Sequence, residues 1–557
     1  MLRELAESLA RIGAQGSFAT RRSVPPGDLK LEVQGVGRIR LPIAATTARK
    51  LCAVARPARH GYKDQTRLDP RVRDTREIAK NRISIDQPRW QKTLAPELER
   101  IRRDLGLPEG CRLKAQLHNL LIYAPGQFFV THQDSEKADD MIGTLVVSLP
   151  TQFTGGTMII EHHDETLRVG GSDRHLTFVA FYGDCRHEVR PVKKGYRVVL
   201  TYNLIAESDA TAAGTPAAST EALTRCVREF FERSPRPRWE GDQDRESPDR
   251  LVYLLDHEYT QRGLSWNRLK GADAQRATAL REVARQLDCE IFLALADVHE
   301  TWACEEEYPD YGYRSRRRWH YDDEEEAGDE DDFGSESEPE LTELVDSDVE
   351  LRHWVGHDGE SRGRTKAMLR SVGGHELCYT KSSVEFEPFE SKHEGYMGNW
   401  GNTVDRWYHR AAVVLWPRER TFVIRAKASP QWAMSEIGKL LKAKNVPQAA
   451  VRARRLLPFW PEVSMREKQT PLLDRILVVA AKLEDEKIAA ALLEPFTLTD
   501  VTRKLAPRLI DLLDRYGAGW SRKLLRHWLS EEKRREPPET RLSWLAGALP
   551  ALCTALG

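Results

Sequence analysis

The chain has 557 residues, with 85 Lys+Arg balanced by 85 Asp+Glu and no formal net charge. That length exceeds one ordinary domain and predicts about three. The charge balance excludes an overall field that would recruit nucleic acid or an anionic membrane surface. The eight Cys (Cys52, Cys111, Cys185, Cys226, Cys289, Cys304, Cys378 and Cys553) form no Cys-x-x-Cys. This argues against a zinc ribbon or a disulfide scaffold and leads us to expect a reducing, cytoplasmic setting.

From the N-terminus, residues 1–10 mix acidic side chains with amphipathic spacing where a secretory signal needs an unbroken apolar core, so a short helix is expected. Apolar and polar residues alternate around a glycine over 29–43, a hairpin signature, and 44–55 reads as a helix. The stretch 61–78 is too irregular for a helix and too rich in Tyr, Leu, Val and Ile for a linker. It reads as an ordered, charged loop. Leu94, Leu98, Ile101 and Leu105 share one face of a helix predicted over 90–105.

Strands are then predicted at 113–123, 127–134, 142–149, 157–161, 177–182, 187–192 and 195–204, with Gly-Gly, Gly-Ser-Asp and Lys-Lys-Gly as turns. Seven or eight short antiparallel strands point to a double-stranded β-helix, the jelly-roll form. Residues two apart in a strand face the same way, so His132 and Asp134 offer an imidazole and a carboxylate to one spot. His187 can supply a third ligand, and two His plus one carboxylate suit non-haem Fe(II) with open positions for a co-substrate and dioxygen. Arg197, ten residues on, is the side-chain type that holds a carboxylate bidentately. Two other His-x-Asp triplets compete. His162 with Asp164 sits in a polar turn too close to His187, and His320 with Asp322 merely opens an acidic run.

Tyr-x-x-Gly-x-Phe-x-x-x-His-x-Asp over 123–134, the later His187 and a basic residue ten positions beyond it resemble the prolyl 4-hydroxylase-like branch of the 2-oxoglutarate/Fe(II) dioxygenases, over roughly residues 111–205. The resemblance implies that His132, Asp134 and His187 bind Fe(2+). It also implies that Arg197 binds the distal carboxylate of 2-oxoglutarate, that Tyr123 hydrogen-bonds this co-substrate, and that O2 is consumed, with L-ascorbate a candidate reductant. Collagen-type members usually carry Lys where this chain has Arg197, while oxygen-sensing members carry Arg. Barrels of this kind commonly keep a substrate-side loop upstream of the metal strand, a role open to 61–78.

After Asn203 the composition changes. Residues 208–220 read as a linker, 221–233 as a helix and 234–250 as a Pro/Arg/Asp-rich loop. Strands at 251–255, 289–296 and 413–416 and a helix at 274–287 make a second α/β region over 208–425, with barrel-like character one possibility. Within it, 322–350 is an acidic run that reads as a solvated, disordered insert. The loop at 398–401 suggests a binding surface, while packing is the expected job of His409. From Ser429 on, amphipathic helices follow at 432–443, 448–456, 471–483, 485–493, 498–513, 520–535 and 540–556, without a fixed repeat period.

The expected fold is thus α+β and multidomain. It comprises an N-terminal hairpin and helical support (1–110), the jelly-roll oxygenase core (111–207), the second α/β region (208–425) and a C-terminal all-α region (426–557) whose plausible use is protein contact. No run has the length needed to span a membrane. The first functional expectation is an enzyme that decarboxylates 2-oxoglutarate to succinate and hydroxylates a prolyl or other side chain of a protein. Against it stands a sensor or scaffold whose iron site reports iron, oxygen or 2-oxoglutarate and whose C-terminal half binds the partner. An oxygenase acting on a small molecule or a modified base comes third, because no basic stripe is present.

Overall fold

The computed structural model describes residues 1–12, 16–62, 65–107, 110–134, 140–208, 220–232, 248–305, 340–359, 368–382, 385–394, 402–464, 469–502 and 504–535. Two antiparallel sheets face one another in the first part of the chain. The larger runs, edge to edge, Ala19–Val24, Leu176–Tyr182, Met141–Ser148, Arg197–Ser208, Cys111–Tyr123, Arg76–Ala79 and Arg56–Pro57. The smaller runs Glu165–Val169, Met158–His162, Arg186–Val189, Phe128–His132 and Arg73–Asp74. Leu145, Phe178 and Leu200 of the first and Ile160 and Val189 of the second bury into one apolar core, the two-sheet form of a jelly roll.

Helix Gln87–Asp104 braces the larger sheet from outside. Asp86 caps it by accepting from the Arg89 N–H, Pro88 sits in its first turn, and Trp90, Leu94, Leu98 and Ile101 form the buried stripe that helical spacing predicts. Trp90 stacks on Phe178 of the sheet with ring centroids 5.9 Å apart. The 29–43 hairpin is present as Leu31–Val33 paired with Gly37–Ile39. The stretch 61–78 is not a plain loop: Arg73–Asp74 joins the smaller sheet and Arg76–Ala79 the larger one. The Lys-Lys-Gly segment, expected to be only a turn, lies in Val192–Gly195 and forms a short ladder with Phe153–Gly155.

The second region is one mixed sheet in the order Ser371–Val372, Glu340–Gly356, Cys289–Glu305, Thr403–Pro417, Leu251–Leu254 and Leu377–Tyr379, with Glu390–Glu394 also paired to Thr403–Pro417. Among the described residues no second sheet faces it, so it lacks the two-sheet arrangement of the first part. Helices Thr220–Glu232 and Gly271–Gln286 cover one face. The N-terminal helix Leu2–Ala10 joins them, burying Leu5 and Leu9 against Leu223, Val227 and Phe230 rather than buttressing the barrel.

Part of the acidic run also departs from expectation. Residues 340–350 belong to the Glu340–Gly356 strand, which pairs along its length with Cys289–Glu305. Backbone pairing and the burial of Val349 and Leu351 outweigh the charge, while the acidic side chains face solvent. The remainder of that run, 322–339, lies outside the described residues, as do 209–219 of the linker, 233–247 of the following loop, the 398–401 loop and the 540–556 helix.

The C-terminal helices Pro430–Lys442, Val446–Leu456, Gln469–Leu483, Glu486–Leu493 and Ala506–Arg535 enclose their own core, including Trp460, Leu477 and Trp528. Ala506–Arg535 is broken at Gly517, whose φ of 79° no helix accommodates, and the expected 498–513 helix begins as a short 3-10 turn at Leu498–Asp500. The barrel and the second region meet at Tyr182. Its hydroxyl donates to the Leu105 carbonyl at 2.6 Å and accepts from the Gly271 N–H at 3.0 Å. No helix among the described residues is long and apolar enough to cross a membrane.

Candidate metal centre and co-substrate pocket

Phe128–His132 pairs antiparallel with Arg186–Val189 so that His132 lies directly opposite His187, with a register shift between Phe129 and His132. The imidazole centroids are 4.2 Å apart. Asp134 follows just past the strand end, its Oδ2 3.8 Å from His187 Nε2. One ligand atom from each of the three falls within 4.8 Å of the others, close enough to hold a single metal ion.

Neighbouring groups orient all three side chains. His132 Nδ1 is 2.8 Å from the Val130 carbonyl and His187 Nδ1 is 3.3 Å from that of Cys185. Each carbonyl accepts an Nδ1–H, which leaves the Nε2 lone pair for a metal. Thr144 Oγ1 donates to Asp134 Oδ2 at 2.5 Å. Phe129 stacks on His132 at 3.5 Å and Phe181 lies 4.7 Å from His187, forming an aromatic wall. Burial, then the adjacent His187, push the His132 pKa down to about 3 against the pull of Asp134, so the ring is neutral near pH 7, as a metal ligand must be.

A cavity of about 90 Å³ is bordered by the triad, Tyr123 and Arg197 together. Tyr123 and Arg197 sit opposite one another in the register of the larger sheet, and both are buried. The Arg197 guanidinium lies 5.3 Å from the Tyr123 ring centroid and 3.9 Å from the Met158 sulfur. No carboxylate among the described residues pairs with it. Burial pulls its pKa below the ordinary arginine value, with Tyr123 opposing the shift. Gly156, at φ +60°, leaves room here: a Cβ would come within 3.3 Å of Arg197 Cδ.

The structure therefore brings together all five residues singled out in the sequence. It does not join His162 to Asp164, which is exposed beyond a turn at His163 (φ 52°). The His320 and Asp322 pair lies outside the described residues. Thr144 and Arg73 border the cavity without having been singled out. Arg73, 4.5 Å over the Phe129 ring, comes from the segment read as a substrate-side loop; Thr144 carried no local signal, because it reaches Asp134 only through the packing of the larger sheet against the segment that follows Phe128–His132.

Residues 118–205 match the family model of the 2OG-Fe(II) oxygenase superfamily. No curated protein matches the chain. Among solved structures, the chain is similar to an oxidoreductase of the 2OG-Fe(II) oxygenase family from Burkholderia pseudomallei (16% identity, 37% of this chain and 91% of that one, TM-score 0.21). It is also similar to a prolyl-4-hydroxylase from Pseudomonas putida (17% identity, 37% and 98%, TM-score 0.20). A third is a prolyl hydroxylase from Trichoplax adhaerens, solved with a hypoxia inducible factor oxygen degradation domain peptide fragment (13% identity, 37% and 88%, TM-score 0.22). The matched segment of the barrel thus resembles the 2OG-Fe(II) oxygenase superfamily, oxidoreductases that use Fe(2+), 2-oxoglutarate and O2.

Proposed function

We propose that the barrel is a dioxygenase in which His132, Asp134 and His187 hold Fe(II), while Arg197 and Tyr123 hold the distal carboxylate of 2-oxoglutarate. The supporting observation is a single cavity that joins a His-Asp-His donor set to a buried guanidinium with no carboxylate partner among the described residues. A buried cation of that kind is costly unless something anionic completes it, and a dicarboxylic co-substrate has the required charge.

When bound there, Fe(II) and 2-oxoglutarate supply the chemistry that converts a C–H bond to C–OH, with 2-oxoglutarate and dioxygen becoming succinate and carbon dioxide. The chain's own residues prepare the site. His132 and His187 present unprotonated Nε2 atoms, Thr144 fixes one Asp134 oxygen, and Phe129 and Phe181 keep water from the ligand side. Arg197 sets the orientation of the co-substrate through a two-pronged ion pair.

The proposed substrate is a side chain of a protein, with prolyl the first residue to test and Arg73 at the cavity wall placed to meet its backbone or an acidic neighbour. The C-terminal helices are the proposed recruiting surface, the setting is cytoplasmic, and L-ascorbate is the proposed reductant. The experiment is succinate formation by full-length protein with iron and 2-oxoglutarate, followed by substrate trapping and mass spectrometry for a product heavier by one oxygen. Succinate no higher than in the iron-free control, with no trapped partner gaining oxygen, replaces the enzyme with a sensor or scaffold.

A further inference from the structure

A second constellation lies where the barrel meets the second region. His162 ends the Met158–His162 strand, Asp184 occupies the turn before Arg186–Val189, and His257 follows Leu251–Leu254. One ligand atom from each lies within 4.8 Å of the others, as in the His132, Asp134 and His187 set. Asp184 Oδ2 is 2.8 Å from His257 Nδ1 and 3.5 Å from His162 Nε2. Tetrahedral bonds of about 2.0–2.1 Å put ligand atoms roughly 3.3 Å apart, and these two distances bracket that value. The His162 and His257 rings stack at 4.7 Å.

The surroundings brace this arrangement. Lys270 Nζ donates to Asp184 Oδ1 at 3.2 Å, the Glu258 N–H to Oδ2 at 3.2 Å, and Gln133 Nε2 to the Asp184 carbonyl at 2.9 Å. Burial opposes ionisation of Asp184, yet Lys270 and His257 hold its carboxyl well below the usual range. His163 is not a candidate ligand, since its ring nitrogens face the Glu385 and Asp256 carbonyls at 3.0 and 3.2 Å. A cavity of about 200 Å³, bordered by Glu161, Glu258 and Glu385 as well as by His162 and Asp184, gives access from outside.

We propose that His162, Asp184 and His257 form a second metal site, for a transition-metal dication of the zinc class, which ties the second region to the barrel. Two imidazoles and one carboxylate suit zinc, with the fourth position open to the cavity for water. Calcium or magnesium is disfavoured, because Lys270 neutralises the one ligand carboxylate and such ions need several oxygens. Lys270 acts on the outer carboxylate oxygen, as hydrogen-bonded partners of metal ligands do. Two ligands come from the barrel and one from the second region, so occupancy links the two just before the strand that delivers His187.

The test uses full-length protein carrying His132→Ala and Asp134→Ala, which empties the first triad and separates this question from the proposed oxygenase activity. After chelation and re-equilibration at micromolar free Zn2+, one bound equivalent is expected by elemental analysis. X-ray absorption should show a nitrogen/oxygen shell containing two imidazoles. Adding His162→Ala, the most exposed of the three ligands, should remove the equivalent while circular dichroism stays unchanged. Zero equivalents in the starting variant would make the cluster a metal-free hydrogen-bonded latch and overturn the proposal. So would an equivalent that survives His162→Ala, or a shell without two imidazoles; the last measurement decides the matter even if the added substitution unfolds the protein.

Discussion

Replacing Arg197 is the most informative perturbation, because its surroundings separate a ligand-binding role from a structural one. The side chain is 4% exposed, touches Met158 sulfur and the Tyr123 ring, and has no carboxylate partner among the described residues. Among the described residues no internal ion pair must break before a ligand carboxylate can bind, so the pairing energy is available to 2-oxoglutarate. Truncating one side of a buried pair costs about 3–5 kcal/mol. Arg197→Ala should therefore weaken 2-oxoglutarate binding roughly a hundred- to several-thousand-fold, at about 1.4 kcal/mol per factor of ten. Arg197→Lys keeps the charge and loses the fork, for a smaller loss of about 1.5–3 kcal/mol, one hydrogen bond to a charged group. Arg197→Met should leave the thermal midpoint of the co-substrate-free protein unchanged or raise it, because an unpaired buried cation is removed. Anaerobic calorimetric titration of 2-oxoglutarate with Mn(II) as the metal measures the first two, and differential scanning calorimetry the third. Unchanged affinity in Arg197→Ala would mean that another group holds the carboxylate. A clear drop in the midpoint of Arg197→Met would mean that the guanidinium holds the fold together instead.

His132→Ala or Asp134→Ala should abolish Fe(II) retention with little change in circular dichroism, since both side chains sit at the end of a strand in an already packed barrel; retention of iron, followed by anaerobic Fe(II) titration, would count against the triad. Thr144→Val removes the hydroxyl that holds Asp134 and should weaken metal affinity about 10- to 100-fold, measured by competition with a fluorescent chelator, while unfolding is little affected. In the C-terminal region, Asp485 caps Glu486–Leu493 through the Lys487 and Ile488 N–H groups, and Asp485→Ala should cost about 1 kcal/mol in denaturant unfolding. The Ile488 N–H, with help from Arg454, holds the Asp485 pKa below its usual 3.8 despite partial burial. Its contribution is therefore complete above that pH and is lost as pH falls through the depressed folded value. A wild-type minus Asp485→Ala difference that grew towards low pH would contradict this assignment.

The residues proposed for the first triad could be picked out from the sequence by itself, because their signal is local or nearly so. His132 and Asp134 are two apart at a strand end, and His187 lies on the short strand Arg186–Val189, whose burial alternates. The buried stripes of Gln87–Asp104 and of the C-terminal helices were legible for the same reason, as 3.6-residue periodicity needs no partner to be seen. What only the tertiary structure decided is pairing between distant segments. The Leu2–Ala10 helix shows an apolar face in the sequence, but nothing in it names Phe230 rather than the barrel as the surface it covers. Residues 340–350 look like a solvated acidic run until Cys289–Glu305 supplies a strand for them to pair with. Thr144 reaches Asp134 only because the two sheets of the barrel pack together, since the two residues share no ladder. His162, Asp184 and His257 come from three separate segments, and only packing of the second region against the barrel brings an imidazole from one to a carboxylate of the other. Local periodicity is written along the chain, whereas the choice among competing long-range partners is made by the free energy of the whole packed core.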